Sequence, residues 1–153
     1  MTFKLPKLIA TSVVRGSVQG ESHGGIYTVD FDKKEAEQHV DWNTSDIDFE
    51  GRGADRGLRG ICFHDEDIYI AASDELFCYK KNFESNNSFK NRYLKHAHEI
   101  CRIEKRIFLT STGFDSLLSF NLETKRFDWG FQLRKEYDPV SYTHLTLPTN
   151  REV

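Results

Sequence analysis

The sequence predicts an all-β fold, a fragment of a β-propeller with about three four-stranded antiparallel blades, the first of them incomplete. Three observations predict it: an internal repeat with a period near 40 residues, four short apolar runs in each copy, and the absence of any sustained helical period. Residues 60–79, GICFHDEDIYIAASDELFCY, overlay residues 99–120, EICRIEKRIFLTSTGFDSLLSF. Ile61-Cys62 matches Ile100-Cys101, and Ile68-Tyr69-Ile70 matches Ile107-Phe108-Leu109, both at a shift of 39. After a two-residue insertion, Leu76-Phe77 matches Leu117-Leu118. An upstream copy lacks its beginning. There LIATS (8–12) answers YIAAS (69–73) and FLTST (108–112), and IYTVDF (26–31) answers LFCYKK and LLSFNL. VDW at 40–42 and FDW at 127–129 close their copies alike.

Calling the four strands of a copy a to d, the first copy lacks strand a. The second copy places a at about 58–63, b at 67–73, c at 75–80 and d at 87–92. The third places them at about 98–103, 106–111, 117–122 and 126–133. HDED between a and b, and DKKEAE and LETKR between c and d, supply turn residues. Strands b and c are apolar at nearly every position, which is the pattern of a sheet covered on both faces. The blades therefore span about 8–45, 57–93 and 97–133, within a domain over 8–139. An antiparallel sandwich also has short, evenly spaced strands, but the match between copies favours the propeller. A ring needs about four to eight blades. The chain is thus expected to be a piece of a longer protein, with open edges and with the remaining blades of that protein as partners.

Composition limits the function classes. Of 153 residues 38% are apolar, with 12 Phe, 6 Tyr and 2 Trp spread along the chain, which suits a packed β core. Lys and Arg total 21 against 24 Asp and Glu, with no basic run, so no nucleic-acid partner is indicated. No apolar stretch approaches the roughly 20 residues of a membrane-spanning helix, and MTFKLPKLIATSVVRG is no signal peptide, so no membrane partner is expected. Cys62, Cys78 and Cys101 are odd in number and lie in apolar runs without metal-type spacing. They read as buried thiols in a reducing compartment, the cytoplasm.

The last stretch, VSYTHLTLPTNREV (140–153), breaks the repeat. It resembles the translated sequencing-adapter peptide SYTHLTLPT that recurs at the ends of unrelated sequences. It is read as a non-native tail, the natural protein continuing differently after about Pro139. The alternation in YTHLTL would also suit a strand.

WNTSDIDFEGRGADRGLRGICFHDEDIYIAASDELFCY, followed by HAHEI and LTSTGFDSLLSFNL, resembles a family of bacterial propeller proteins without an assigned reaction. These are distantly similar to the six- to eight-bladed, WD40-like repeat propellers. The resemblance covers about residues 8–133, and GRGADRGLRGI and LTSTGFDS are its most specific parts. It implies a fold rather than a mechanism. It also implies that the d-to-a and b-to-c connections share one face of the disc, that strand a lines a central channel, and that ligands sit at the channel mouth on that face.

On that implied face the repeat places ESHGG (21–25), DIDFEGRGADRG (46–57), Ser73-Asp74, KHAH (95–98) and STGFDS (111–116). His64, Asp65, Glu66 and Lys105 fall on the other. Arg59 aligns with His98 and Gly60 with Glu99, so an arginine of one blade is expected near a histidine–glutamate pair of the next. That combination suits an anion or a carboxylate. Arg52, Asp55 and Arg56, with Glu50, sit in a glycine-rich insertion that is either a ligand loop or a solvated loop knitted by ion pairs. Asp115 either caps a tight turn or faces the mouth. His96 and His98 flank Ala97 and would share a strand face, so a divalent metal such as zinc or iron held by His23, His96 and His98 is a weak candidate, opposed by the cation at Arg59.

The ligand-binding candidates are Arg52, Asp55, Arg56, Arg59, His96, His98, Glu99 and Asp115. The leading reading is a non-catalytic propeller module that binds a small molecule, glycan or protein at the channel mouth. The alternative is a lyase or hydrolase, with or without a metal, using His98 and Glu99 with Arg59 as the anion clamp. A purely structural repeat is the third.

Overall fold

The computed structural model describes residues 5–18, 20–43, 57–134 and 141–145. Among the described residues the chain forms twelve strands in three antiparallel sheets, the blades of a partial β-propeller. The first sheet is β1 (Leu8–Thr11), β2 (Gly25–Asp30) and β3 (Glu35–Asp41), side by side in that order. The second is β4 (Leu58–His64), β5 (Asp67–Ala72), β6 (Glu75–Lys80) and β7 (Ser85–Lys90), again in chain order. The third runs β8 (Ala97–Ile103), β9 (Arg106–Ser111), β10 (Ser116–Asn121) and β11 (Arg126–Arg134), with β12 (Ser141–Leu145) added beyond β11. The chain divides into two compact units, Met1–Arg59 and Gly60–Val153. No helix among the described residues is long and apolar enough to cross a membrane.

The repeat is visible in the backbone as well as in the side chains. Asp65 and Glu104, equivalent at the 39-residue shift, both have φ of 52° in the two-residue turn that follows strand a. Ser73 and Asp115 take left-handed φ at the b-to-c turns, and Lys34, Phe83 and Lys125 at the c-to-d turns. None of these is glycine. The left-handed conformation costs a side chain free energy unless, as for Asp, a short polar group bonds locally, so the recurrence reflects the hairpin geometry overriding local preference.

Directly paired residues of an antiparallel ladder lie on the same face, so the register assigns the packing. Tyr69 pairs with Cys78 and Ala71 with Leu76 on one face of the second sheet; Ile107 pairs with Phe120 and Leu109 with Leu118 on one face of the third. All eight belong to a single buried cluster, completed by Cys62, Leu94, Ala97 and Leu122. Phe120 is its aromatic hub, with ring centroids 4.6 Å from Phe89 and 5.2 Å from Phe127. At one edge of this interface Lys125 from the third sheet lies over the Tyr69 ring at 5.1 Å, bonds its hydroxyl, and stands 3.8 Å from Asp67.

Gly60 marks where the innermost strands converge. A Cβ on it would lie 2.7 Å from the Ile100 nitrogen and 2.8 Å from the His98 carbonyl oxygen, so β4 and β8 meet backbone to backbone.

Two expectations change. In β9 only alternate residues (Ile107, Leu109 and Ser111) are buried, whereas β5 is buried from Ile68 to Ala72. Both-face burial holds for β5 and not for β9, because no further sheet among the described residues covers the outer face of β9; in β10 Leu118, Ser119 and Phe120 are all buried, Ser119 beneath the Arg106 side chain that bonds it. The alignment of the first copy is also one residue off. Thr11 pairs with Ile26 as Ala71 pairs with Leu76 and Thr110 with Leu117, so Thr11, not Ala10, is the counterpart of Thr110. A one-residue slip exchanges the two faces of a strand.

Within the final stretch, the backbone of Ser141–Leu145 pairs with β11, from Arg134↔Ser141 to Gly130↔Leu145. An edge strand offers a row of backbone donors and acceptors, and an alternating segment takes them up whatever its origin. The pairing therefore describes the edge of the sheet rather than the provenance of the tail.

Candidate functional site

The segment ahead of β8 is tied down from two sides. The Ser111 hydroxyl accepts from the Lys95 N–H at 2.8 Å and lies 2.6 Å from the Tyr93 carbonyl, and the Gly113 N–H donates to the Lys95 carbonyl at 3.0 Å. Thr112 Oγ1 donates to the His96 carbonyl at 3.0 Å. From the preceding blade, the Ser73 carbonyl accepts the Ala97 N–H at 2.6 Å. Ser111 is the fixed point. It is fully buried and stands where a turn-forming STGF run begins, so its hydroxyl satisfies backbone groups that would otherwise be stranded.

Beyond this anchor the β8–β9 ladder slips. Ala97 pairs with Ser111 and Ile100 with Leu109, leaving His98 and Glu99 together opposite Thr110. Thr110 Oγ1 repairs the ladder, accepting the Glu99 N–H at 3.1 Å and lying 3.4 Å from its carbonyl. A bulge of this kind re-aims side chains and is frequent beside binding sites. Here it presents two consecutive ionisable residues at the start of an innermost strand, His98 half-buried and Glu99 exposed.

The placement of the other candidates is mixed. Arg59 is the second residue of β4, half-buried, and its carbonyl accepts Thr11 Oγ1 at 2.6 Å. His96 is exposed and lies before β8 with φ of 52°, so the strand rule that would put it on the same face as His98 does not apply to it. His23 is fully buried, edge-on to Trp42 at 6.3 Å. Among the described residues no three His, Cys, Asp or Glu side chains are grouped so as to hold a metal ion. Asp115 ends the 3-10 turn Thr112–Phe114 with a left-handed φ of 46°, and its backbone rather than its carboxylate is engaged there: its carbonyl accepts the Leu133 N–H at 2.9 Å. His64 closes β4 at the opposite end of the strand from Arg59, 3.5 Å from Asp65. Arg52, Asp55 and Arg56, with Glu50, lie outside the described residues.

Sequence reasoning passed over Thr110, and it gave Ser111 and Gly60, which it placed on the ligand face and opposite Glu99 in the repeat, no part in shaping the segment. The signal for Gly60 was present, since a glycine replaces glutamate at the repeat position of Glu99. For Ser111 it was the STGFDS run that begins there, and for Thr110 there was none beyond a hydroxyl in an apolar strand.

The thiols divide by burial. Burial pushes Cys62 up to about 12, an effect that the nearby Arg102 charge opposes and Cys101 reinforces, while Cys101, its repeat equivalent, is exposed.

No family model matches the sequence, and no curated protein matches it. Among solved structures it is similar to a chain of the crystal structure of a nidogen/laminin complex, with 13% identity and a TM-score of 0.52, covering 79% of this chain and 41% of that one. It is also similar to the AfRom2 CNH domain, with 12% identity and a TM-score of 0.49, covering 90% of this chain and 40% of that one. The chain thus spans about two fifths of each, and the first likeness agrees with the propeller-type blades.

Proposed function

We propose that this chain is part of a propeller-type binding module that recognises a small molecule, a glycan or a protein at the mouth of the central channel. The observation that carries the reading is the bulge at His98 and Glu99, held open by Thr110 at the start of β8. A half-buried imidazole beside an exposed carboxylate offers a donor, an acceptor and a negative charge within one short segment. In this reading His98 and Glu99 make the central contacts. Arg59, at the equivalent repeat position one blade earlier, supplies an anion-binding fork, while His96 and Asp115 belong to the rim and Arg52, Asp55 and Arg56 to an adjoining loop. A protein ligand draws support from the nidogen/laminin structure, which is a protein complex built with this kind of fold.

The remaining blades belong to the longer protein of which this chain is a piece. The bacterial family resemblance, the foreign origin of residues 140–153 and a cytoplasmic location, which the thiols of Cys62, Cys78 and Cys101 support, are part of the same proposal.

The test uses the chain itself. Ligands are sought by thermal shift against a small-molecule set and by glycan-array binding, and each hit is re-measured on His98→Ala and Glu99→Gln. The expected result is a loss of affinity of about tenfold or more with melting temperature held within a few degrees. Hits that bind both variants as tightly as the parent overturn the assignment of this segment.

A further inference from the structure

The segment that joins the second sheet to the third, residues 91–96, carries an arrangement that the His98–Glu99 bulge does not use. Its backbone is fixed. Asn91 Oδ1 accepts the Tyr93 N–H at 3.0 Å, and the Asn91 carbonyl accepts the Leu94 N–H at 2.9 Å. Leu94 is buried in the cluster between the two sheets, and Ser111 and Gly113 engage both backbone groups of Lys95. On this frame stand three exposed side chains: Arg92, Lys95 and His96. The segment lies between two blades that the chain itself contains, so its exposure is not that of a terminal face.

Each of the three is placed by a neighbour. The Arg92 guanidinium lies over the Tyr93 ring at 4.6 Å and donates to its hydroxyl at 2.6 Å, and Tyr93 in turn is edge-on to Phe114 at 5.9 Å. An arginine stacked in this way keeps most of its N–H donors for a second partner. Lys95 and His96 come together at Gly113. A Cβ on that glycine would lie 2.7 Å from Lys95 Cγ and 3.0 Å from His96 Cδ2, so the lysine stem and the imidazole both pack on the bare backbone of the turn.

What sets these residues apart is the lack of countercharge. Elsewhere in the two sheets the cations are mostly matched: Lys80 and Lys125 stand against Asp67, Lys81 against Glu66, Lys90 against Glu75, Lys105 against Glu123 and Arg106 against Asp128. Among the described residues Arg92, Lys95 and His96 have no carboxylate partner, although Glu99 and Asp115 adjoin the segment in the chain. Two cations and an imidazole within residues 92–96 thus make a local basic site on a chain whose formal net charge is −3.

We propose that this segment is a docking surface for an acidic stretch of a protein partner, whose carboxylates are received by the Arg92 fork, the Lys95 ammonium and the His96 imidazole. Carboxylates on a short peptide fit better than the phosphates of a nucleic acid for two reasons. The Tyr93 ring, on which a base would stack, already carries the Arg92 guanidinium, and a long polyanion would meet the net negative charge of the rest of the chain. Such a surface rests on the binding-module reading, names a partner class for it and shares His96 with its rim, but it does not need the contacts assigned to His98 and Glu99.

Fluorescence anisotropy of a labelled peptide of alternating Glu and Gly, titrated with the full chain, tests this; the matching Gln-and-Gly peptide is the control. The acidic peptide should bind, more weakly as salt rises, and the control should not. Arg92→Gln and Lys95→Gln should each lower affinity about two- to fivefold, and together about tenfold or more. Both residues are exposed, so the melting temperature should stay within a few degrees. Arg126→Gln, which removes an exposed arginine at the opposite end of the third sheet, should leave affinity unchanged, as should His98→Ala. Gly113→Ala keeps every charge and should still weaken binding about twofold, by parting Lys95 from His96. If that variant does not fold, Arg92→Lys, which keeps the charge and loses the fork, takes its place. The proposal is overturned if the peptide does not bind or if Arg126→Gln weakens it as much as Arg92→Gln. It is overturned equally if the charge-preserving variant binds like the parent, which would make net charge and not this arrangement the attraction. A loss in His98→Ala with none in Arg92→Gln would move the peptide to the bulge, and a single-stranded oligonucleotide that binds as tightly as the peptide would replace the partner; either result also overturns it.

Discussion

The second and third sheets share a pattern, yet the same repeat positions have opposite environments. Tyr69 is fully buried and Phe108 half-exposed; Cys62 is buried and Cys101 exposed; Leu76 is buried and Leu117 is not. The residue types barely differ across these pairs. What differs is the neighbour: the outer face of the second sheet is covered by the third, while no sheet among the described residues covers that of the third, where Ser119, bonded by Arg106 at 2.9 Å, is the buried exception. In a repeat architecture the energy of a position therefore belongs to the interface between repeats as much as to the repeat itself.

The largest expected effect follows directly. Leu76→Ala removes a fully buried side chain from the cluster around Phe120 and should destabilise by about 2–5 kcal/mol in urea unfolding. Leu117→Ala, the same change at the equivalent position, should cost less than about 1 kcal/mol, because a side chain that water already reaches loses little on truncation. Equal losses would break the comparison and show that the outer face of the third sheet is covered in solution.

A smaller effect separates Gly60 from Glu99, again one repeat apart. Alanine at Gly60 would thrust a Cβ against backbone atoms of β8 that cannot turn aside, and should cost about 1–3 kcal/mol. Glu99→Ala, at an exposed position, should stay within about 0.5 kcal/mol. A neutral Gly60→Ala would mean that the innermost strands stand further apart than this geometry has them.

Much of the fold was legible because a repeat is read twice. Strand b of the third copy, expected at 106–111, is β9 at Arg106–Ser111, and strand c of the second, expected at 75–80, is β6 at Glu75–Lys80. The first copy was misread by one residue because LIATS aligns well with FLTST by residue type, whereas the ladder is set by the turn: Ser12 Oγ accepts the Gly25 N–H and fixes the register from there. The site was less legible. A bulge leaves no periodic trace, and HAHEI reads as plain alternation until Ser111 and Thr110 are seen holding its two ends. The left-handed backbone of His96 is likewise a product of those tertiary bonds, not of its own preference.

The smallest effect concerns the ends of the same two hairpins. In the second sheet Asp67 bonds Lys80 at 2.6 Å and faces Lys125 at 3.8 Å; the third sheet has Arg106 where the second has Asp67, and the partner there is Asp128. Burial alone would raise the Asp67 carboxyl, but the hydrogen bond from Lys80 and the charges of Lys80 and Lys125 outweigh it and hold the group below the usual carboxylate range. A group held low in the folded state adds stability at every pH above its unfolded value and loses it as acid protonates the folded form. Parent and Asp67→Asn should therefore differ most near neutral pH and converge below the ordinary carboxylate range. The margin should be modest, because Lys80 and Lys125 are partly exposed and salt screens them. Replacing Lys125 with methionine should narrow the same margin by removing one of the two cations. If Asp67→Asn instead follows the parent at a constant offset down to strong acid, the carboxylate charge contributes nothing to the seam, and the packing around Tyr69 and Phe120 alone joins the second sheet to the third.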